Sequence, residues 1–158
     1  MPASITIRAA LPGEASVLSR LCVRSKAHWG YDDAFLEQAR RSLTIDPAAI
    51  DAGRVFVAID ARGGPLGVAD CCPLPEPGAF DFVHLFVEPS ALRRGVGRAL
   101  FATACAWCTA QGGSKLMILS DPNAAAFYQR LGARRIGEAP SDAIGDRMLP
   151  LFEFALAR

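Results

Sequence analysis

The sequence predicts a mixed α+β domain of about seven strands, a β-meander followed by strand, helix, strand, helix and strand. Three observations carry this reading. Short apolar or alternating runs of strand length recur along the chain. Two of them flank Arg62-Gly63-Gly64-Pro65, a sequence suited to a hairpin turn. The second half alternates strand, helix, strand, helix and strand in the manner of a crossover unit. With 158 residues, 51% hydrophobic and 21% charged, the chain is sized for one domain, residues 1–158, that buries its own core. It shows no internal repeat, low-complexity tract or linker.

The elements follow in order. Ser4 to Ala9 alternates around Ile5 and Ile7 and reads as an opening strand. Gly13 to Ala27 carries Ala15, Val17, Leu18, Leu21, Cys22 and Val23 at helical spacing, and Lys26-Ala27-His28-Trp29-Gly30-Tyr31 turns the chain into a second helix, about Asp33 to Ser42. Arg54 to Asp60 and Leu66 to Pro73 are the hairpin strands, and Phe80 to Val87 is a fourth, largely apolar strand. A long helix runs from roughly Gly97 to Gln111, stopped by Gly112-Gly113. Leu116 to Leu119 is a fifth strand, Asn123 to Leu131 a short helix, Arg134 to Glu138 a sixth strand and Met148 to Ala157 the last.

Bulk properties exclude several function classes. A net charge of +1 supplies no global field for nucleic acid or an anionic membrane. No stretch approaches the length of a membrane span, and the N-terminus lacks a signal-peptide pattern, so a cytoplasmic location is expected. The five cysteines, Cys22, Cys71, Cys72, Cys105 and Cys108, are an odd number. They are expected to be reduced thiols, with Cys105 and Cys108 acting as small buried hydrophobes within a helix. No metal site is expected, because no second Cys/His pair has ligand spacing.

The most informative stretch is Val87-Glu88-Pro89-Ser90-Ala91-Leu92-Arg93-Arg94-Gly95-Val96-Gly97-Arg98-Ala99-Leu100. It reads as a strand end, a basic glycine-containing turn and a helix start, which aims free N–H groups and a positive helix end at an anion. Gly95 and Gly97 let the backbone approach a ligand closely, and Arg93, Arg94 and Arg98 bring charge suited to phosphate oxygens. Two familiar phosphate loops do not fit. No Lys-Ser/Thr follows Gly97, and Leu100 stands where a dinucleotide fingerprint needs its third glycine.

Downstream, Asp121-Pro122-Asn123-Ala124-Ala125-Ala126-Phe127-Tyr128 leads into a helix ending at Gly132, with Asp121 or Asn123 as its cap. In this order and spacing, the two segments resemble the GNAT superfamily of acyl-CoA-dependent N-acyltransferases. The resemblance runs from Ile5 to the final strand and is sharpest between Asp81 and Gly132. Two departures stand out. Leu92 occupies a position that is usually Arg or Gln, with Arg93 where Gly is common, and the spacing from Asn123 to Phe127 is short.

The resemblance implies the GNAT fold, of the α/β three-layer type with a bent, mostly antiparallel central sheet flanked by helices, with acetyl-CoA as co-substrate and no metal. It assigns Arg93, Arg94, Gly95, Val96, Gly97 and Arg98 to the pyrophosphate, Phe86 and Val87 to the pantetheine amides, and Asn123 and Tyr128 to the CoA arm. Tyr128 is the expected general acid for the departing thiolate. The bland alternatives are a capping Asn123 and a core-filling Tyr128. Asp81 and His84 are both candidate bases. Three residues apart on a strand, they face opposite sides unless a bulge intervenes. Glu88 reads as an exposed rim residue.

The aromatic turn with His28, Trp29 and Tyr31 is the expected acceptor border, and Arg147, in the polar loop before the last strand, is placed to meet an acceptor carboxylate or a nearby Asp142 or Asp146. The expected activity is acetyl transfer to a primary amine of a small molecule by direct attack. The rival readings are a protein or peptide amine acceptor, which needs an open groove, a non-catalytic acyl-CoA-binding module, and a nucleotide site in the Arg93–Arg98 loop. The apolar final strand is the candidate edge for a possible homodimer.

Overall fold

The computed structural model describes residues 5–157. Seven strands form one sheet: β1 (Thr6–Ala9), β2 (Val55–Ile59), β3 (Pro65–Pro73), β4 (Ala79–Val87), β5 (Lys115–Leu119), β6 (Arg134–Pro140) and β7 (Met148–Ala155), in the spatial order β1-β2-β3-β4-β5-β7-β6. Every neighbouring pair is antiparallel except β4 and β5. The hairpin from β2 to β3 is held by Asp60, whose Oδ1 accepts the N–H groups of Arg62 and Gly64.

Strand alternation divides the core into two layers. Val55, Val57 and Val68 pack on one face against Leu18, Leu21 and Cys22 of α1 (Ala15–Ala27), together with α2 (Asp33–Ala39), a short 3₁₀ turn over Arg40–Leu43, and α3 (Pro47–Asp51). Phe56, Ala58, Phe80, Phe82 and Phe152 pack on the other against Val96, Leu100, Phe101, Ala104 and Cys108 of α4 (Val96–Ala110) and Tyr128 of α5 (Ala125–Arg130). A glycine on β3 makes the second layer possible: a Cβ at Gly67 would meet Leu100 Cδ1 at 2.9 Å and Val96 Cγ1 at 3.0 Å. The N-terminus of α4 therefore lies close on the sheet.

Several elements differ from expectation for local physical reasons. The second helix ends at Ala39 and tightens into 3₁₀ geometry instead of continuing to Ser42. α3 was not foreseen. It is five residues long, with Asp46 capping Ala48 N–H and Pro47 at its first turn, too short for a periodic signal. The last strand is not a free edge. Over Leu151–Glu153 it is bonded to β5 on one side and β6 on the other, so β6 is the outer strand. Cys105 is half-buried, not fully buried. No helix among the described residues is long and apolar enough to cross a membrane.

Candidate active site

Two cavities meet between the sheet and the helices. The larger, about 660 Å³, is lined by Phe86 and Val87 of β4, by Leu92, Arg93, Gly95, Val96 and Gly97 of the turn into α4, and by Asn123, Phe127, Tyr128 and Arg130 around α5. Gly95 precedes α4 at φ +82° and provides no side-chain cap. The first bond back into the helix comes from Ala99 N–H to Gly95 O, so the N–H groups of Val96, Gly97 and Arg98 remain available at the positive helix end. Arg93 sits at φ +65°, making it the single non-glycine residue with positive φ among the described residues. Gly97 lets this turn meet α5, since a Cβ there would stand 3.3 Å from Phe127 Cζ.

The same cavity opens along β4. Its parallel pairing with β5 covers Ala79–Asp81 against Lys115–Met117 and then stops. From Phe82 to Val87 the backbone groups of β4 on that side have no strand partner, while β3 continues to pair on the other. Such an open strand edge offers N–H and C=O groups to an extended, amide-bearing ligand.

The smaller cavity, about 160 Å³, lies beside Lys26 of α1 and Phe35 and Ala39 of α2. Its walls include Phe35, Ser42, Asp81, His84, Ser141, Asp142 and Arg147. A bulge brings Asp81 and His84 together. Phe82 pairs with Cys71 but His84 pairs with Asp70, leaving Val83 extra and exposed. Before the bulge, Phe80 and Phe82 face α4. After it, Leu85 and Val87 do so, and His84 joins Asp81 on the cavity side.

These two candidates are in different states. His84 is 7% exposed, its Nε2 donates to the Ser42 carbonyl at 2.8 Å, and its Nδ1 lies 3.2 Å from Asp70 Oδ2. Both ring nitrogens are taken up by these contacts, so neither is open to a substrate in the cavity. Asp81 makes no such bonds among the described residues. Burial pushes its carboxyl up to about 6, helped by Asp142 and Asp70 and opposed by His84.

The two cavities share a wall formed by Lys26, Leu85, Phe86, Asp121, Ala124 and Tyr128. Tyr128 is 6% exposed, with its ring against Phe82, Phe101, Phe127 and Phe152. Burial, with a further push from Asp121, raises its phenol well above the usual tyrosine range, so it holds its proton. Beside it, Asp121 accepts from Lys26 Nζ, from the Tyr31 hydroxyl at 2.9 Å and from Asn123 Nδ2 at 2.9 Å. Burial raises the Asp121 carboxyl, but these donors outweigh burial and hold it below the ordinary value.

The placement of the remaining predicted residues is mixed. His28 and Trp29 line the larger cavity and not the smaller. Tyr31 joins the shared-wall network through its hydroxyl. Arg94 and Arg98 are exposed and outside the lining of the larger cavity, since the turn aims them away from it. Glu88 is not an open rim residue: both its oxygens accept from Arg24 at 2.8 Å, tying the end of β4 to α1. Sequence reasoning missed Arg130, which enters the larger cavity one helical turn beyond Ala126, and it missed the pairing of Lys26 with Asp121 across 95 positions. Among the described residues, no group of three or more His, Cys, Asp and Glu side chains is arranged to hold a metal ion.

Comparison with known proteins agrees with this architecture. No curated protein sequence matches the chain. Among solved structures it is similar to a GCN5-related N-acetyltransferase from Rhodopseudomonas palustris, with TM-score 0.77, 24% identity, and 99% of each chain covered. It is also similar to the PaiA N-acetyltransferase from Thermoplasma acidophilum in complex with coenzyme A, with TM-score 0.75, 13% identity, and 96% and 99% covered. A third likeness is to N-acetylglutamate synthase from Neisseria gonorrhoeae complexed with coenzyme A and N-acetyl-glutamate, with TM-score 0.71 and 20% identity, covering 99% of this chain and 36% of that one. These likenesses bear on the fold. The family described as acetyltransferase (GNAT) domain matches residues 51–132, which is more than half of the chain and holds β4, the glycine turn, α4 and α5. The chain belongs to the GNAT acetyltransferase family.

Proposed function

We propose that the protein moves the acetyl group of acetyl-CoA to a primary amine of a small molecule, by direct attack and without a covalent enzyme intermediate. The observation that carries this reading is the meeting of the two cavities at Tyr128, one with a helix N-terminus and an open strand edge, the other with Asp81. CoA lies in the larger cavity, with its pyrophosphate on the N–H groups of Val96, Gly97 and Arg98 and near Arg93, and its pantetheine arm along Phe86 and Val87 beside Asn123. The amine enters the smaller cavity.

Asp81 takes a proton from the ammonium form of the acceptor. The amine nitrogen then bonds to the acetyl carbonyl carbon, and a β4 N–H near Phe86 or Val87 bears the developing oxyanion. As the C–S bond breaks, the Tyr128 hydroxyl gives its proton to the CoA sulfur, and the phenolate regains a proton from the cationic nitrogen, which leaves a neutral amide and free CoA thiol. His84 positions the site in this scheme. It links β4 to the Ser42 turn and leaves the base role to Asp81. The confined volume of the smaller cavity favours a small acceptor over a protein amine, which needs an open groove.

Calorimetric titration with acetyl-CoA tests the reading, with desulfo-CoA and ATP as controls. The expected result is micromolar binding of both CoA forms and much weaker binding of ATP, followed by amine-dependent thiol release. Absence of acetyl-CoA binding, or ATP binding as tight as CoA, overturns it.

A further inference from the structure

Arg147 has chemistry that the transfer reaction itself does not need. It is half-buried at the smaller cavity, at the end of a loop that is closed on itself. Ser141 N–H donates to Arg147 O at 2.7 Å, Arg147 N–H donates to Ile144 O at 2.9 Å, and Ser141 Oγ accepts from Ala143 and Ile144. The guanidinium donates one bond, from Nη2 to the Tyr31 hydroxyl at 2.7 Å, and lies 5.2 Å and 5.1 Å from the stacked Tyr31 and Phe35 rings. Tyr31 and Phe35 are themselves parallel to within 11° at 4.2 Å, which makes a flat and rigid support.

None of the carboxylates near it in sequence takes up this charge. Neither Asp142 nor Asp146 forms an ion pair with Arg147 among the described residues, and the Asp121 carboxylate is engaged by Lys26. A guanidinium has five N–H donors in a planar fork, and one is used here. A positioned, partly desolvated guanidinium with spare donors is a carboxylate receptor. The same small cavity holds Asp81, an anionic group suited to an ammonium. Opposite charges on the walls of one cavity of about 160 Å³ match a ligand that carries both opposite charges on a short frame.

Resting on the acetyl-transfer reading, we infer that the acceptor is a small amino acid, with its carboxylate on the Arg147 guanidinium and its amine directed to Asp81 and the acetyl group. The volume lies well under the roughly 300 Å³ at which pockets for drug-sized ligands begin, so compact side chains are preferred.

The test compares the standard L-amino acids with their carboxamides, which keep the amine and nearly the size, lose the carboxylate charge and carry a more readily deprotonated amine, so that a preference for the acid runs against intrinsic reactivity. Initial rates are measured with acetyl-CoA, and binding is measured by calorimetry in the presence of desulfo-CoA. In the wild type, at least one amino acid is expected to exceed its carboxamide by about 30- to 1000-fold in kcat/KM, mainly through KM. In Arg147→Gln this ratio falls toward one, and Arg147→Lys keeps part of it, because an ammonium retains charge without the fork. Thermal melting and acetyl-CoA titration of both variants establish that they are folded.

Equal use of acid and amide by the wild type overturns the inference while leaving acetyl transfer to amines intact. A preference that survives Arg147→Gln overturns it as well. If acetyl-CoA binds and nothing is acetylated, the transfer reading fails, and the desulfo-CoA titrations still decide the inference. Carboxylate-dependent binding lost in Arg147→Gln supports it, and its absence overturns it.

Discussion

The two cavities are built from different materials. The larger one offers main-chain groups to a ligand: the N–H groups at the start of α4 and the unpaired edge of β4 beyond Asp81. The smaller one is mostly side chain, brought in from α1, α2, the bulged centre of β4 and the loop between β6 and β7. Main-chain donors do not change with residue identity, so one cradle serves the same cofactor whatever surrounds it. Side-chain walls depend on every residue in them, and under the proposed function that is where the choice of acceptor resides. Substitutions on the two sides should therefore fail differently. On the main-chain side, conformation matters more than charge. On the side-chain side, one atom decides.

The largest expected effect is at Gly95. Gly95→Asp forces a side chain to φ +82° and sets a negative charge beside the proposed pyrophosphate position. Acetyl-CoA affinity should fall by roughly 100-fold or more, for a stability cost of about 1–2 kcal/mol, because no atom lies within 4 Å of the new Cβ. Calorimetry and a thermal melt read the two quantities separately. Loss of the fold together with binding would mean that Gly95 is structural first.

Asp81→Asn probes the side-chain wall. Turnover at pH 7.5 should drop about 10²- to 10⁴-fold with acetyl-CoA affinity retained. Stability should move the other way. The folded carboxyl titrates near 6, against 3.8 for the ordinary group, so the native state holds the extra proton between those values. Wild-type stability therefore falls as pH rises through this window, and the full penalty is present above about 6. The amide removes it, and Asp81→Asn should be about 1–2 kcal/mol more stable at neutral pH, with no gain below about pH 4. Denaturant unfolding at the two pH values measures the difference. In the wild type, kcat/KM should decline below about pH 6 as Asp81 protonates.

The smallest effect sharpens the main-chain side. Arg93 is at φ +65°, where a side chain costs about 1 kcal/mol. Arg93→Gly should recover part of that and weaken CoA only a few-fold by removing one cation, a change that fades at high salt. A loss as large as that of Gly95→Asp would show that side-chain charge, and not the backbone cradle, holds the cofactor.

The same contrast governs what can be read from sequence. The glycine turn, the helix after it and the Phe127-Tyr128 pair are contiguous, and their meaning lies in local order, so the larger cavity was largely legible. The bulge at Val83 was not. It inserts one residue without any turn or glycine signal, and it alone decides that Asp81 and His84 share a face. Nor could the sequence pair Lys26 with Asp121, or seat Arg147 on Tyr31, because those contacts span 95 and 116 positions. The aromatic turn reads as one acceptor border in the sequence, but His28 and Trp29 line the larger cavity while the Tyr31 hydroxyl meets Asp121 and Arg147, a division that sequence order does not show.

Under the proposed function, acetyl transfer takes place where the cavities meet, with Tyr128 as the proton donor. Steady-state kinetics of Tyr128→Phe, paired with an acetyl-CoA titration of the same preparation, test it most directly. The phenylalanine keeps the ring packed against Phe82 and Phe152 and removes only the hydroxyl. The account predicts a kcat about 10- to 1000-fold below wild type with nearly unchanged acetyl-CoA affinity. Undiminished turnover would contradict it.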